Sequence, residues 1–126
     1  MNAILLIALG GASGAVGRHL VSGWAARAFG SGFPYGTLAV NVIGSLAMGM
    51  LIAWLAKRSA GDAHLRLLLA TGFLGGFTTF SAFSLDVALL YERGAWSMAA
   101  TYILASVLLT VAAVFAGLTI MRSLLG

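Results

Sequence analysis

Apolar residues run almost without interruption along this chain, and short polar clusters divide them into long blocks rather than alternating with them at a strand or surface-helix period. A helix that crosses a bilayer needs about 20 mostly apolar residues. Four segments meet that length: 3–26, 36–56, 65–91 and 97–122. Between them lie Arg27–Tyr35, with Phe29-Gly30-Ser31-Gly32-Phe33 and the only proline, Pro34; Lys57–His64, with Lys57, Arg58, Ser59, Gly61 and Asp62; and a tight turn around Glu92-Arg93-Gly94. The pattern predicts an all-α membrane protein, a single four-helix transmembrane domain over residues 1–126 with no soluble domain or linker.

The third block breaks the uniformity. Its middle, Thr71–Ser84, reads TGFLGGFTTFSAFS and carries Gly72, Gly75, Gly76, five hydroxyl residues and four phenylalanines. Each glycine costs a helix about 1 kcal/mol relative to alanine, and the β-branched pair Thr78-Thr79 follows at once. Backbone that leaves the helix at membrane depth is tolerated only where protein buries it or where it lines a wet cavity. The third helix is therefore predicted to break near its middle and to present backbone and hydroxyls to something polar, an ion being the obvious candidate.

Composition strengthens the membrane reading. Hydrophobic residues make up 61% of the 126 positions and charged residues 8%, against about 25% charged in soluble domains. No cysteine is present, which removes disulfides, thiolate metal sites and thiol nucleophiles. The net charge of +4 comes from a few loop and helix-end cations, not from a nucleic-acid-binding face. Ile4–Leu9 is apolar but lacks a basic flank and continues past a signal's length, so it reads as the first membrane helix, retained.

The loop cations are nearly balanced. Lys57, Arg58, Arg66 and Arg122 fall on the side shared by the termini and the second loop; Arg18, Arg27 and Arg93 fall on the other. Four against three is little positive-inside bias, and a chain so balanced is expected to insert in both orientations and pair as an antiparallel homodimer. Small-xxx-small spacings recur at Gly10–Gly14, Ser13–Gly17, Ser45–Gly49 and Gly72–Gly76. They predict close helix packing and say nothing about substrate.

Polar residues inside the spans are costly and usually face protein or water. Asn41 in the second span fits either an interhelical hydrogen bond or a pore donor. Tyr102, Ser106 and Thr110 are spaced by four and share one helix face; the row ends where Val114 takes the next position. Each hydroxyl could equally bond its own helix's carbonyls. Asp86 is the only carboxylate within a span, and could hold a cation, carry a proton, cap the second half of the broken helix or make a local hydrogen bond. Arg18 reads as a residue near the end of the first span, able to snorkel, with a structural or interfacial role. His19 and His64 lack metal-ligand spacing and read as interfacial. No triad, paired carboxylates or phosphate-cradling loop is present, so the chemistry expected is transport or assembly, not catalysis.

Gly36-Thr37-Leu38 with Asn41 and Gly44, followed by TGFLGGFTTFSAFS at 71–84, resembles the signatures of the Fluc/CrcB family of small fluoride channels, and the resemblance extends over the whole chain. It implies a passive channel exporting fluoride from the bacterial cytoplasm across the inner membrane. It also implies an antiparallel, dual-topology homodimer with two pores. By the same resemblance Asn41, Phe80, Phe83, Ser81, Tyr102, Ser106 and Thr110 would line the fluoride path. The carbonyls of Gly75 and Thr78 would hold a structural Na⁺ at the dimer centre. By that resemblance Asp86 stands where relatives tend to carry Glu, and as the shorter carboxylate it has a different reach. Two alternatives compete: a small dual-topology multidrug/proton exporter, whose first helix would need a carboxylate absent here, and a non-conducting assembly subunit, which would leave the intramembrane polar residues without a purpose.

Overall fold

The computed structural model describes residues 2–58 and 63–126; Ser59, Ala60, Gly61 and Asp62 of the second connection, and Met1, lie outside the described residues. The fold is all-helical among the described residues, with four stretches long and apolar enough to cross a membrane: Ala3–Phe29, Tyr35–Lys57, Ala63–Glu92 and Trp96–Leu125. Each contains the corresponding predicted segment and exceeds it by one to three residues at one or both ends, the flanks Arg27, Lys57, Glu92 and Ser123 among those that continue the helical winding.

We label the helices α1 (Ala3–Phe29), α2 (Tyr35–Lys57), α3 (residues 63–77), α4 (Phe80–Glu92) and α5 (Trp96–Leu125). Asn2 caps α1, its side chain accepting from Ile4 N at 2.7 Å. Gly30 ends that helix with φ of +79°, a left-handed conformation that glycine adopts without strain. Within α3, Arg66–Leu74 is wound in the wide π form, and Gly75 N–H reaches back to Ala70 C=O. Such winding is rare and is concentrated at functional sites. Between α3 and α4 the backbone of Thr78 (φ −85°, ψ 160°) and Thr79 (φ −154°, ψ 126°) is extended.

Two helix pairs carry most of the packing, α2 against α5 and α1 against α3. Both depend on glycines. A Cβ on Gly10 would strike Leu68 O and lie 2.8 Å from Phe73 N; one on Gly14 would strike Phe73 O and lie 2.8 Å from Phe77 N. On the other pair, Gly49 and Gly117 face each other's helices reciprocally, with Leu118 N and Met50 N each 2.9 Å from where the Cβ would sit. Backbone thus touches backbone, which only small residues allow and which dispersion and weak Cα–H···O contacts reward in lipid. Gly10, Gly14, Gly49 and Gly72, singled out by spacing, are buried at these seams; Ser13 is exposed, donating to Leu9 O at 2.8 Å. Gly117 lies four residues after Ala113, a small-xxx-small spacing that was not singled out, and its packing partner on α2 emerges from the fold.

Aromatic rings gather at both ends, as expected of interfacial anchors. Trp24, Phe29, Tyr35 and Phe33 form a chain of ring contacts at 4.9–5.7 Å that ends on Tyr102. Tyr91 stacks on Trp96 at 5.9 Å, and the Arg58 guanidinium lies 4.5 Å over Trp54 at the opposite end of α2. Arg93 bridges the first and third connections, donating to Gly32 O.

Arg18 takes the structural of the two roles expected of it, but lies farther from the end of its helix than the sequence suggested. The helix runs eleven residues beyond it to Phe29, about 16 Å at 1.5 Å per residue. Its Nε donates to Gly76 O at 3.1 Å, in the third span. Arg18 is thus committed to the C-terminal carbonyls of α3 rather than to the interface.

Candidate functional site

The site is built where the extended Thr78-Thr79 segment meets α2. Leaving the helix frees Thr79 N–H and C=O from the α-ladder, and Asn41 takes both: Thr79 N donates to Asn41 Oδ1 at 2.8 Å, and Asn41 Nδ2 donates to Thr79 O at 3.0 Å. This amide clamp replaces the missing helical partners, as buried backbone requires. Thr78 returns its hydroxyl and its N–H to Leu74 O, at 2.9 and 3.0 Å. Thr79 also caps α4, its Oγ1 accepting from Ala82 N at 3.1 Å. The cap considered for Asp86 therefore belongs to Thr79, because Asp86 lies a further turn into α4, beyond reach of the free N–H groups.

Beside this junction lies a cavity of about 280 Å³ lined chiefly by Asn41, Ser45, Thr78–Phe80, Phe83, Ser106 and Thr110, and closed by Gly44, Met48, Val107 and Val114. The structure thus brings together Asn41, Phe80, Phe83, Ser106, Thr110 and the Thr78 position. Phe80 and Phe83 stand 5.4 Å apart between ring centroids, and Phe80 is 79% exposed in the single chain. Gly44 admits the junction to α2, since a Cβ there would collide with the Thr78 methyl.

The hydroxyls of the cavity fall into two groups. Thr110 Oγ1 donates to its own helix at Ser106 O, 2.6 Å, and Thr78 and Thr79 are engaged as above. Ser106 is 6% exposed, and its Oγ has no protein partner among the described residues. An unpartnered buried hydroxyl costs about 1–3 kcal/mol unless something in the cavity satisfies it.

Other sequence candidates lie apart. Ser81 is exposed on the first turn of α4, 3.3 Å from Thr79 Oγ1, and does not line the cavity. Tyr102 is fully buried, with its hydroxyl donating to Asp86 Oδ2 at 3.0 Å and its ring 5.1 Å from Phe83. Asp86 with Arg93, Ser31, Gly32 and Pro34 surrounds a second, smaller cavity of about 110 Å³ near the first connection. Phe83 borders the first space and Asp86 the second, and Tyr102 contacts both residues. The carbonyls of Gly75 and Thr78 sit at the end of α3. Gly75 loses its usual donor, because the Thr79 N–H that would serve it in a continuous helix goes to Asn41. Ser45 and Met48 were not singled out as lining residues, although Asn41, Ser45 and Met48 follow the i, i+4, i+7 spacing of one helix face.

Comparison with known proteins fits this arrangement. Residues 5–118 match the family described as "CrcB-like protein, Camphor Resistance (CrcB)". The chain belongs to the CrcB family. Its relatives include the "Fluoride-specific ion channel FluC" of Chelativorans sp., 58% identical over 125 residues that make up 99% of this chain and 100% of the relative. The protein of the same description from Caulobacter sp. is 57% identical over 123 residues, 97% of this chain and 96% of the relative. That of Agrobacterium fabrum is 54% identical over 121 residues, covering 96% and 97%. Likeness over whole chains ties the CrcB membership to all four spans, including both walls of the cavity.

Proposed function

We propose that this chain is a passive fluoride channel of the bacterial cytoplasmic membrane, working as an antiparallel, dual-topology homodimer with two pores. The observation that supports it most is the cavity itself: a mostly apolar space at membrane depth, holding an unpartnered buried hydroxyl and two phenylalanines, in a chain over half identical to proteins named as fluoride-specific channels.

The physical requirements of fluoride match this lining. A small, strongly hydrated anion must exchange water for donors, and Ser106 Oγ–H offers one with no competing protein acceptor. Thr79 and Phe80 place the N-terminus of α4 at the cavity wall, where the partial positive charge of a helix start favours an anion. Aromatic rings carry a positive edge. Phe80 and Phe83 turned edge-on would contact the ion without hydrogen-bonding it, and conduction needs sites weak enough to leave. Ser81, Tyr102 and Thr110 would extend this path, Tyr102 from behind Phe83 and Ser81 once a second chain covers the exposed turn it shares with Phe80.

The third span reads as a helix broken at Thr78-Thr79, and a structural Na⁺ fits the break. Neutral carbonyls suit a monovalent cation, and unwound backbone at a helix end is where such ions bind in membrane proteins. Gly75 C=O, relieved of its helical donor, and Thr78 C=O would hold it, with equivalent groups from a second chain. When bound, the ion would supply fixed positive charge at the centre of the dimer. Gly76 C=O takes no part, since Arg18 already donates to it.

The direct test is fluoride-driven voltage across proteoliposomes containing the purified protein, with chloride and a proton gradient as controls. A fluoride-dependent potential is expected. Proton-coupled movement, or no fluoride permeability, would overturn the reading.

A further inference from the structure

The polar row of α5 stops at Thr110, because Val114 follows, yet the cavity continues past it to Met48 and Val114. The wall opposite is α2, the helix packed most extensively on α5. There Ser45 lies one turn beyond Asn41 on the same face, lining the cavity. Serine hydroxyls inside membrane helices commonly donate to the carbonyl four residues back, as Ser13 and Ser84 do here at 2.8 and 3.0 Å. Ser45 makes no such bond to Asn41 O or to any other described residue. The cavity therefore holds two hydroxyls without protein acceptors, Ser45 on α2 and the deeply buried Ser106 on α5. The amide of Asn41, by contrast, has its carbonyl oxygen and one N–H engaged by Thr79.

We infer that Ser45 is an anion-coordinating residue of the conduction path, taking over from α5 where its hydroxyl row ends. The ion is passed from Ser106 on one wall to Ser45 on the other. Val114 is accommodated because the donor it lacks is supplied from across the cavity. The inference rests on the fluoride-channel reading and deepens it: the row of donors changes helix.

The test compares fluoride efflux from proteoliposomes for wild type, Ser45→Ala, Ser45→Thr and the double variant Ser45→Ala/Val114→Ser. Loss of a hydrogen bond to a charged group predicts that Ser45→Ala slows efflux by about tenfold or more. Ser45→Thr, which keeps the hydroxyl, retains most of the rate. In the double variant, a hydroxyl returned to the same stretch from α5 restores a substantial part of the loss. Size-exclusion profiles are compared alongside, since alanine at a helical position leaves the fold intact. Efflux unchanged in Ser45→Ala, or slowed equally by Ser45→Thr and not rescued by Val114→Ser, overturns the inference. Absence of fluoride efflux in wild type instead overturns the channel reading itself.

Discussion

The Asn41 clamp makes a prediction whose size follows from the geometry. Asn41→Leu keeps a γ-branched side chain but removes both hydrogen bonds, at 2.8 and 3.0 Å, that hold Thr79 N–H and C=O. Each buried backbone group left without a partner costs about 1–3 kcal/mol. Thr79 borders a cavity large enough for water, which would recover part of that. A loss of about 2–4 kcal/mol is therefore expected, large against typical net stabilities of about 5–15 kcal/mol. Tryptophan fluorescence follows unfolding in detergent, since Trp24, Trp54 and Trp96 report from both ends of the bundle. The variant should unfold at clearly lower denaturant or temperature. Its fluoride efflux should also fall, because α4 would no longer start at a fixed point beside the cavity. Unchanged stability would refute the clamp. If efflux alone were lost at full stability, Asn41 would act as a pore ligand and the structural argument would fail.

Further outcomes follow from other parts of the molecule. Gly14→Ala places a methyl against Phe73 O and Phe77 N; separating α1 from α3 should cost about 1–3 kcal/mol, read as a lowered unfolding midpoint, and wild-type stability would contradict the seam. Phe80→Ile and Phe83→Ile should cut fluoride efflux while leaving the dimer intact on size exclusion; unchanged flux would remove the rings from the path. Antiparallel pairing predicts that C-terminal tags are accessible from both faces of one membrane, and labelling from one face only would refute it. Replacing Na⁺ by a bulky organic cation throughout preparation should impair assembly or flux if Gly75 and Thr78 hold the ion, and full activity would count against that site.

Much of the fold was legible in the sequence because membranes simplify the code. A helix must satisfy its own backbone in lipid, so length and apolarity alone located all four spans to within three residues at either end. The polar clusters between them left little choice for the connections. The stretch at 71–84 was also legible as exceptional, since glycines and β-branched residues oppose helix locally. Glycine spacing pointed to Gly10, Gly14 and Gly49, because close approach needs small residues whatever the partner.

The partners themselves were decided by tertiary structure. A hydroxyl in a helix can bond its own carbonyl or face a neighbour at similar local cost, so nothing in the sequence separated Thr110, turned back on its helix, from Ser106, left free in the cavity. The amide of Asn41 fitted an interhelical bond or a pore lining, and only the placement of α2 against Thr79 showed that it clamps backbone while bordering the cavity. Arg18 read as either structural or interfacial, and only the packing of α1 on α3 set it onto Gly76. Sequence determined that this chain spans a membrane four times with an unusual third segment. Packing determined which polar atoms are used to hold that segment and which remain free for an ion.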